Sequence, residues 1–348
     1  MADKVTLPSI STVLNSPTEA SFMMSEQERL DWLHVMHMSL LNPSHDDLIM
    51  QHLAKVHASG RRSKVLDVGT GTGTWAVSLA LRHPFADVIG IDINWSNFTN
   101  AHLPHGNVDF STVDVTQTLP WTSFFDIVHV KSMLMDIPYY PQLIRRLSET
   151  LRPGGMIILI ESELSYESVQ GPPSSVVEAW SEALKRALAA KNTDVGLPRR
   201  LDTTVAATGF FSPQFFFQEI GCPVGAYMKG ECMVQANLAF LLSLPYPFRT
   251  IDSTTFPESQ TLLRAGQIQA HVLRTSLHRL VCNRIDHAER ATLLSLGEAC
   301  VQQLMAPDTP YLQRLFAVYA YKKAQPPTQA VTTHPGRAAT SVASLVQS

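Results

Sequence analysis

The feature that most constrains this chain is an apolar run ending on alternating glycines, Val65-Leu66-Asp67-Val68-Gly69-Thr70-Gly71-Thr72-Gly73. Its β-branched and leucine residues suit a buried strand, Lys64 to Val68. The glycines let the backbone turn sharply where a Cβ would clash. The stretch Thr72 to Leu81 then reads as a helix, packed through Trp75 and Leu79. Strand, tight turn and helix together form the opening unit of a doubly wound parallel sheet, with a ligand seated where the helix begins.

The rest of the chain repeats that alternation. Val88-Ile89-Gly90-Ile91 reads as a second strand ending at Asp92, and Val108 to Val113 as a third ending at Asp114. Phe125 to Val130 is a fourth. A helix through Leu143, Ile144, Leu147 and Leu151 follows, stopped by Pro153-Gly154-Gly155. Met156 to Ile160 is apolar on both faces, as a central parallel strand must be. Ser175-Val176-Val177-Glu178 reads as a capping box opening a helix through Trp180, Leu184 and Leu188. Phe215 to Ile220 is a sixth strand, helices are expected over 258–282 and 286–305, and Tyr311 to Tyr321 alternates like a long last strand.

Five segments follow. Residues 1–22 are a flexible lead-in rich in Ser, Thr and Pro, and 23–60 an N-terminal helical segment. In that segment the helix Glu26 to Leu41 is stopped by Asn42-Pro43. Residues 61–163 form the Rossmann-like core. Residues 164–323 complete the same domain with a helical cap and the last two strands, and 324–348 are a disordered tail.

Composition narrows the function. The 348 residues are 45% hydrophobic and 16% charged, enough to build a sizeable core. A net charge of -3 carries no basic excess of the kind nucleic acid attracts. Cys222, Cys232, Cys282 and Cys300 have no CxxC spacing and read as buried thiols in a reducing compartment. There is no signal-peptide pattern, and no apolar run approaches the roughly 20 residues that span a bilayer. The expectation is a cytoplasmic protein without a membrane or nucleic-acid partner; its oligomeric state is unknown.

The glycine spacing, Gly69-x-Gly71-x-Gly73, differs from the GxGxxG of dinucleotide sites, which remain the alternative. Asp67 lies inside the strand just before the loop. A carboxylate there repels a pyrophosphate and suits a cofactor carrying a free amino group and a sulfonium. Asp92, at the end of the next strand, can accept both hydroxyls of a ribose.

VLDVGTGTGTW, Val65 to Trp75, resembles motif I of the class I S-adenosylmethionine-dependent methyltransferases. More narrowly it resembles the fungal LaeA-like group, which includes natural-product methyltransferases. Glu28-Arg29-Leu30-Asp31 with His34, His83-Pro84 before the second strand, Phe125 to Lys131, and Leu151-Arg152-Pro153-Gly154-Gly155 resemble that group too. The likeness is good over residues 26–163 and loose from 164 to 323, where Thr208-Gly209-Phe210 and the last strand with Lys322-Lys323 carry it. It implies a seven-stranded sheet, S-adenosylmethionine as cofactor, and a small-molecule acceptor. Asp67, Gly69, Thr70, Gly71 and Gly73 would hold the methionine portion, Asp92 the ribose, and Ile93 the adenine face. Asp114 would accept from the adenine amino group, with Val115 beside it, and His129 to Lys131 would face the reacting methyl.

Methyl transfer from a sulfonium is an in-line displacement. The enzyme mainly supplies alignment, worth roughly 7–11 kcal/mol of barrier. A carboxylic acid acceptor needs no base, while a phenol near pKa 10 benefits from one. His129 is the candidate base, against a plain packed or cofactor-contacting histidine. Lys131 joins the cofactor set, and can alternatively steady an anionic substrate or be a solvated surface lysine. Glu161 and Glu163 read as surface or helix-start charges, with substrate contact as the alternative. The phenylalanines at 210, 211 and 215–217 read as core of a sixth strand buried on both faces, with the lining of an apolar substrate pocket as the alternative. His34, His37 and His45 lack the third ligand and closed geometry of a metal site, so no metal is expected. Ile137-Pro138-Tyr139-Tyr140 bears a weak likeness to the NPPY motif of amino-methylating DNA enzymes, but starts with Ile and lies past the strand end. The reading is O-methylation of a small molecule in fungal secondary metabolism. The alternatives are a LaeA-like regulator, which would then be nuclear, or a protein methyltransferase.

Overall fold

Strand β1 (Ser63–Val68) lies inside the sheet with a strand on either side, and its length follows from the apolar run that builds it. The computed structural model describes residues 25–94, 106–224, 272–278, 280–281, 287–306 and 311–324. Ahead of β1 come two helices, α1 (Glu26–Leu41) and α2 (Ser44–Ala58). Helix α1 has the expected bounds and opens on a capping box: the Ser25 hydroxyl accepts from Glu28 N while the Glu28 carboxylate accepts from Ser25 N. After β1 the chain runs through α3 (Thr74–Arg82), β2 (Ala86–Asp92), β3 (Val108–Thr112) and β4 (Phe125–Lys131). Then follow α4 (Tyr140–Thr150), β5 (Leu151–Ser168), α5 (Ser175–Ala189), α6 (Leu201–Ala207), β6 (Phe211–Val224), α7 (His287–Leu304) and β7 (Tyr311–Lys322). The expected helix at 258–282 lies outside the described residues except for helical residues 272–278 and 280–281.

The sheet has seven strands in the order β3-β2-β1-β4-β5-β7-β6. Strands β1 to β5 pair in parallel, and β7 runs antiparallel to both β5 and β6. The chain winds outward from β1 in one direction and from β4 in the other. The crevice at the carboxyl ends of β1 and β4 is therefore the place where open α/β sheets take ligands.

Side-chain alternation sorts the strand residues onto two faces. Val65, Ile127, Met156, Ile158 and Ile160 point into one buried cluster with Leu41, Ile49, Leu53 and Trp75 from the N-terminal helices and α3. Leu66, Val68, Val128, Val130, Ile157 and Leu159 point into the other, with Leu143, Ile144 and Leu147 of α4 and Leu201 of α6. By the same parity Asp67, His129 and Lys131 belong to the first face and Glu161 to the second. A third cluster packs Trp180, Leu184 and Leu188 of α5 against Leu293, Cys300 and Leu304 of α7, and forms the cap.

Two expectations are corrected. The inner place beside β5 goes to β7, so β6 is an edge strand. Phe211 is buried, but Phe216 is 42% exposed, because an edge strand has solvent on one side. The hydroxyl that caps α5 belongs to Ser174, which accepts from Val177 N, one residue ahead of the expected Ser175. Among the described residues no helix is long and apolar enough to cross a membrane.

Candidate functional site

The glycine loop leaves β1 with left-handed backbone at Gly69 (φ +64), Gly71 (φ +58) and Gly73 (φ +83). At Gly69 the need for glycine is steric as well, since an added Cβ would lie 2.0 Å from Met133 Sδ. Thr70 N donates to Ile91 O at 2.9 Å, tying the turn to the end of β2. The Thr70 hydroxyl donates to Asp67 Oδ2. Asp92 accepts from Gly71 N at 3.0 Å through Oδ2 and from Asn94 N at 2.9 Å through Oδ1. Burial pushes the Asp92 carboxyl upward, against those two N–H groups.

Helix α1 lies against the loop. Asp31 Oδ1 accepts from the hydroxyls of Thr72 and Thr74, and Leu30 sits where a Cβ on Gly71 would come within 3.3 Å. Burial also raises the Asp31 carboxyl. One residue before Leu30, Arg29 donates to Ser276 Oγ at 3.3 Å, joining α1 to the helical residues of the cap. Nothing local in the sequence marks Asp31 as a site residue, because its partners lie 41 and 43 residues away. No local spacing in the chain connects them.

His129 is the principal correction. The ring is 1% exposed and stacks on Trp75 with centroids 3.8 Å apart. Its Nδ1 lies 2.7 Å from Asp67 Oδ1. A carboxylate only accepts, so the ring proton sits on Nδ1. His45 approaches edge-on at 5.9 Å, held between Tyr319 OH and the Trp75 N–H. Burial lowers His129, His45 and His34, and lowers His37 to about 3, so all four are neutral. The His129 ring is sealed behind Trp75, and its hydrogen bond among the described residues goes to Asp67 and not toward the crevice mouth.

Two residues farther on, Lys131 ends β4 on the same face and is half-buried at the rim. The chain then turns at Ser132 (φ +58), whose N donates to Ile160 O at 2.9 Å. The Lys131 ammonium makes no hydrogen bond or ion pair with a described residue; Asp67, Glu161, Asp31 and Arg29 act on it through charge alone. Burial lowers it to about 8.

Glu161 and Glu163 are likewise not surface charges. Glu161 is 1% exposed, and its Oε1 accepts from Met133 N at 2.9 Å, Leu134 N at 3.1 Å and Tyr140 OH at 2.8 Å. It clamps the loop after β4, including the Met133 that covers Gly69. Burial raises its carboxyl to about 7. Glu163 pairs with Arg199 at 2.8 Å and 2.7 Å.

The expected residues are thus brought together in part. Asp67, Thr70, Gly71, Asp92 and Lys131 converge on the β1–β4 crevice. Ile93 lies just beyond, 69% exposed. Asp114 turns into its own loop, accepting from the Thr116 hydroxyl at 2.7 Å and from Thr116 N at 2.9 Å, which lowers its pKa. Val115 is buried with Ile91 and Leu66. Each Asp92 oxygen carries one donor in the structure and keeps a lone-pair direction for a diol. The carboxylates of Asp31, Asp67 and Asp92 around one mouth favour a cationic ligand over a pyrophosphate. The donor set therefore fits S-adenosylmethionine. Among the described residues no group of His, Cys, Asp or Glu could hold a metal ion.

A family profile described as a methyltransferase domain matches residues 44–193. The chain is 29% identical over 269 residues to methyltransferase pytC of Aspergillus terreus, covering 73% of this chain and 78% of that protein. It is 29% identical over 233 residues to the secondary metabolism regulator LAE1 of Cochliobolus heterostrophus, covering 65% and 73%. A solved structure of phosphoethanolamine N-methyltransferase 2 from Haemonchus contortus with S-adenosyl-L-methionine aligns at TM-score 0.41 and 16% identity, over 78% of this chain and 52% of that one.

Proposed function

We propose that this chain is an S-adenosylmethionine-dependent methyltransferase that O-methylates a small molecule in fungal secondary metabolism. The observation that carries the reading is the roof over the crevice. Helix α1 is bonded to the glycine loop through Asp31 and to the cap through Arg29 and Ser276. A roofed site admits a small acceptor and excludes a folded protein chain.

When bound, S-adenosylmethionine supplies a methyl group on a sulfonium. In our reading Asp67 and the Gly69–Gly73 loop hold the amino-acid portion, Asp92 the ribose, Ile93 one face of the adenine, and Asp114 with Val115 its far edge. His129 and Trp75 keep Asp67 fixed, so the carboxylate is aimed before the ligand arrives. That preorganisation is how such a site contributes alignment without reordering its own dipoles. Glu161 holds the loop that carries Met133 over Gly69.

The likeness to a secondary metabolism regulator supports a second reading, in which the cofactor fold acts within an assembly on a protein. One experiment separates the two. The purified chain is incubated with methyl-tritiated S-adenosylmethionine and, separately, with a solvent extract of fungal metabolites and with fungal protein. Label in the organic phase is the expected result; label confined to protein would reverse the choice.

A further inference from the structure

We propose that Lys131 is the general base of the reaction, its neutral amine taking the proton of an acceptor hydroxyl of phenol-like or enol-like acidity. The proposal rests on the methyltransferase reading and adds to it the acceptor class and the proton's destination.

Position comes first. Lys131 is the last residue of β4, at the switch point of the sheet, on the face shared with Asp67 and His129. It is half-buried at the rim and its nitrogen has no hydrogen-bond partner among the described residues. The other titratable groups of the crevice are engaged or buried: the ring nitrogens His129 Nε2 and His37 Nδ1, unpartnered among the described residues, belong to side chains that are fully buried. His129 is sealed behind Trp75. Glu161 lies on the opposite face with three donors on one oxygen. Tyr140 donates to Glu161, and Asp31, Asp67 and Asp92 hold hydroxyls or backbone N–H groups.

Electrostatics agree with the position. Lys131 is faced by Asp67 of β1, Glu161 of β5, Arg29 and Asp31 of α1, and by the neutral rings of His34 and His37 of α1, His45 of α2 and His129 of its own strand. The carboxylates favour the ammonium, while burial and Arg29 favour the amine, and the balance falls at about 8. Roughly a tenth of the chains then carry the free amine at pH 7, and a base of that strength suits an acceptor near pKa 10. A carboxylic acid would arrive already ionised and leave Lys131 without a proton to take. In the transfer the acceptor O–H bond breaks and its proton goes to Nζ. The oxygen's pair forms the bond to the methyl carbon as the C–S pair stays on sulfur. The positive charge lost by the sulfonium reappears on the ammonium, so atoms and charge balance.

The test uses the full chain and needs no natural acceptor. Calorimetry first establishes saturation with S-adenosylhomocysteine; failure to bind would break the methyltransferase reading itself. Competitive acetylation with acetic anhydride, followed by mass spectrometry of the Lys131 peptide, then reports when the amine is neutral and reachable. With S-adenosylhomocysteine bound, Lys131 is expected to acetylate with a midpoint near 8, against about 10.4 for an ordinary lysine. A midpoint near 10 overturns the proposal, because the amine would be charged at working pH. Protection by S-adenosylhomocysteine also overturns it, because the cofactor rather than the acceptor would cover the amine. On any phenol the chain methylates, Lys131→Arg and Lys131→Met should both lose roughly 10²–10⁴-fold in turnover, with S-adenosylhomocysteine affinity within about threefold. Recovery of turnover in Lys131→Arg would show a charge anchor and not a base.

Discussion

On the β1–β2 side of the crevice each carboxylate is tied to a hydroxyl, a ring N–H or a backbone N–H: Asp67 to Thr70 and His129, Asp92 to Gly71 and Asn94, Asp31 to Thr72 and Thr74. Across the crevice, at the β4–β5 rim, the same depth of burial produces something different. Glu161 is equally well bonded yet is held near 7, and Lys131 has no hydrogen bond among the described residues and is held near 8. The first side spends its groups on fixing a shape, so its ligand meets carboxylates already aimed. The second keeps groups whose protonation is open to change near neutral pH, which is what proton transfer requires. Two residues of one strand mark the boundary: His129 is walled in, and Lys131 reaches the rim.

The largest expected effect tests the fixed side. Gly69→Ala forces a side chain into left-handed backbone, costing about 1–3 kcal/mol, and drives a Cβ into Met133. S-adenosylhomocysteine affinity should fall at least roughly tenfold. Gly60→Ala has the same backbone sign (φ +78) but open space around it, so it should lower the melting temperature slightly and leave affinity unchanged. Equal losses of affinity in both would break the comparison.

A smaller loss is expected where α1 meets the loop. Asp31→Ala removes the acceptor of two threonine hydroxyls, worth roughly 1–3 kcal/mol. Cofactor affinity should drop about fivefold or more, with faster amide exchange in α1. Asp31→Asn keeps an acceptor oxygen and should lose less; equal exchange rates in wild type and Asp31→Ala would mean that α1 is held by something else.

The smallest effect concerns the rim. The Glu161 carboxyl titrates near 7 in the folded chain and near 4.3 when unfolded. Between those values the folded state binds the proton and the unfolded state does not, so the group's contribution to stability falls as pH rises through that window. The buried histidines act oppositely. His37 is held at about 3, so stability falls as pH drops below the unfolded value near 6.5. The difference in melting temperature between Glu161→Gln and wild type cancels the histidine contribution. It should move in the variant's favour by a few degrees, at ~2–4 °C per kcal/mol, from pH 5 to pH 7.5. A flat difference would show that Glu161 does not ionise in this range.

The fold was legible where its determinants are local. The apolar runs, the glycine loop and the Asn42-Pro43 stop locate α1 and β1 to β5, because propensity and turn chemistry act over a few residues. The edge position of β6 was not legible, since a run of phenylalanines reads alike whether or not another strand covers it. The site divides in the same way. Asp67, the glycines and Asp92 lie in or beside one motif, whereas the sealing of His129 depends on Trp75 and His45 arriving from other helices. Asp31 depends on a helix folding back across the loop, and the burial of Glu161 on α4 and the loop ahead of it.

The claim beneath all of this is that the glycine loop and Asp92 together hold the cofactor. The direct measurement is calorimetric titration of the full chain and of Asp92→Ala with S-adenosylmethionine and S-adenosylhomocysteine. The account predicts micromolar binding of both, weakened roughly tenfold or more in Asp92→Ala as charge-assisted hydrogen bonds of about 1.5–3 kcal/mol are lost. Binding of neither ligand, or equal affinities in the two proteins, would contradict it.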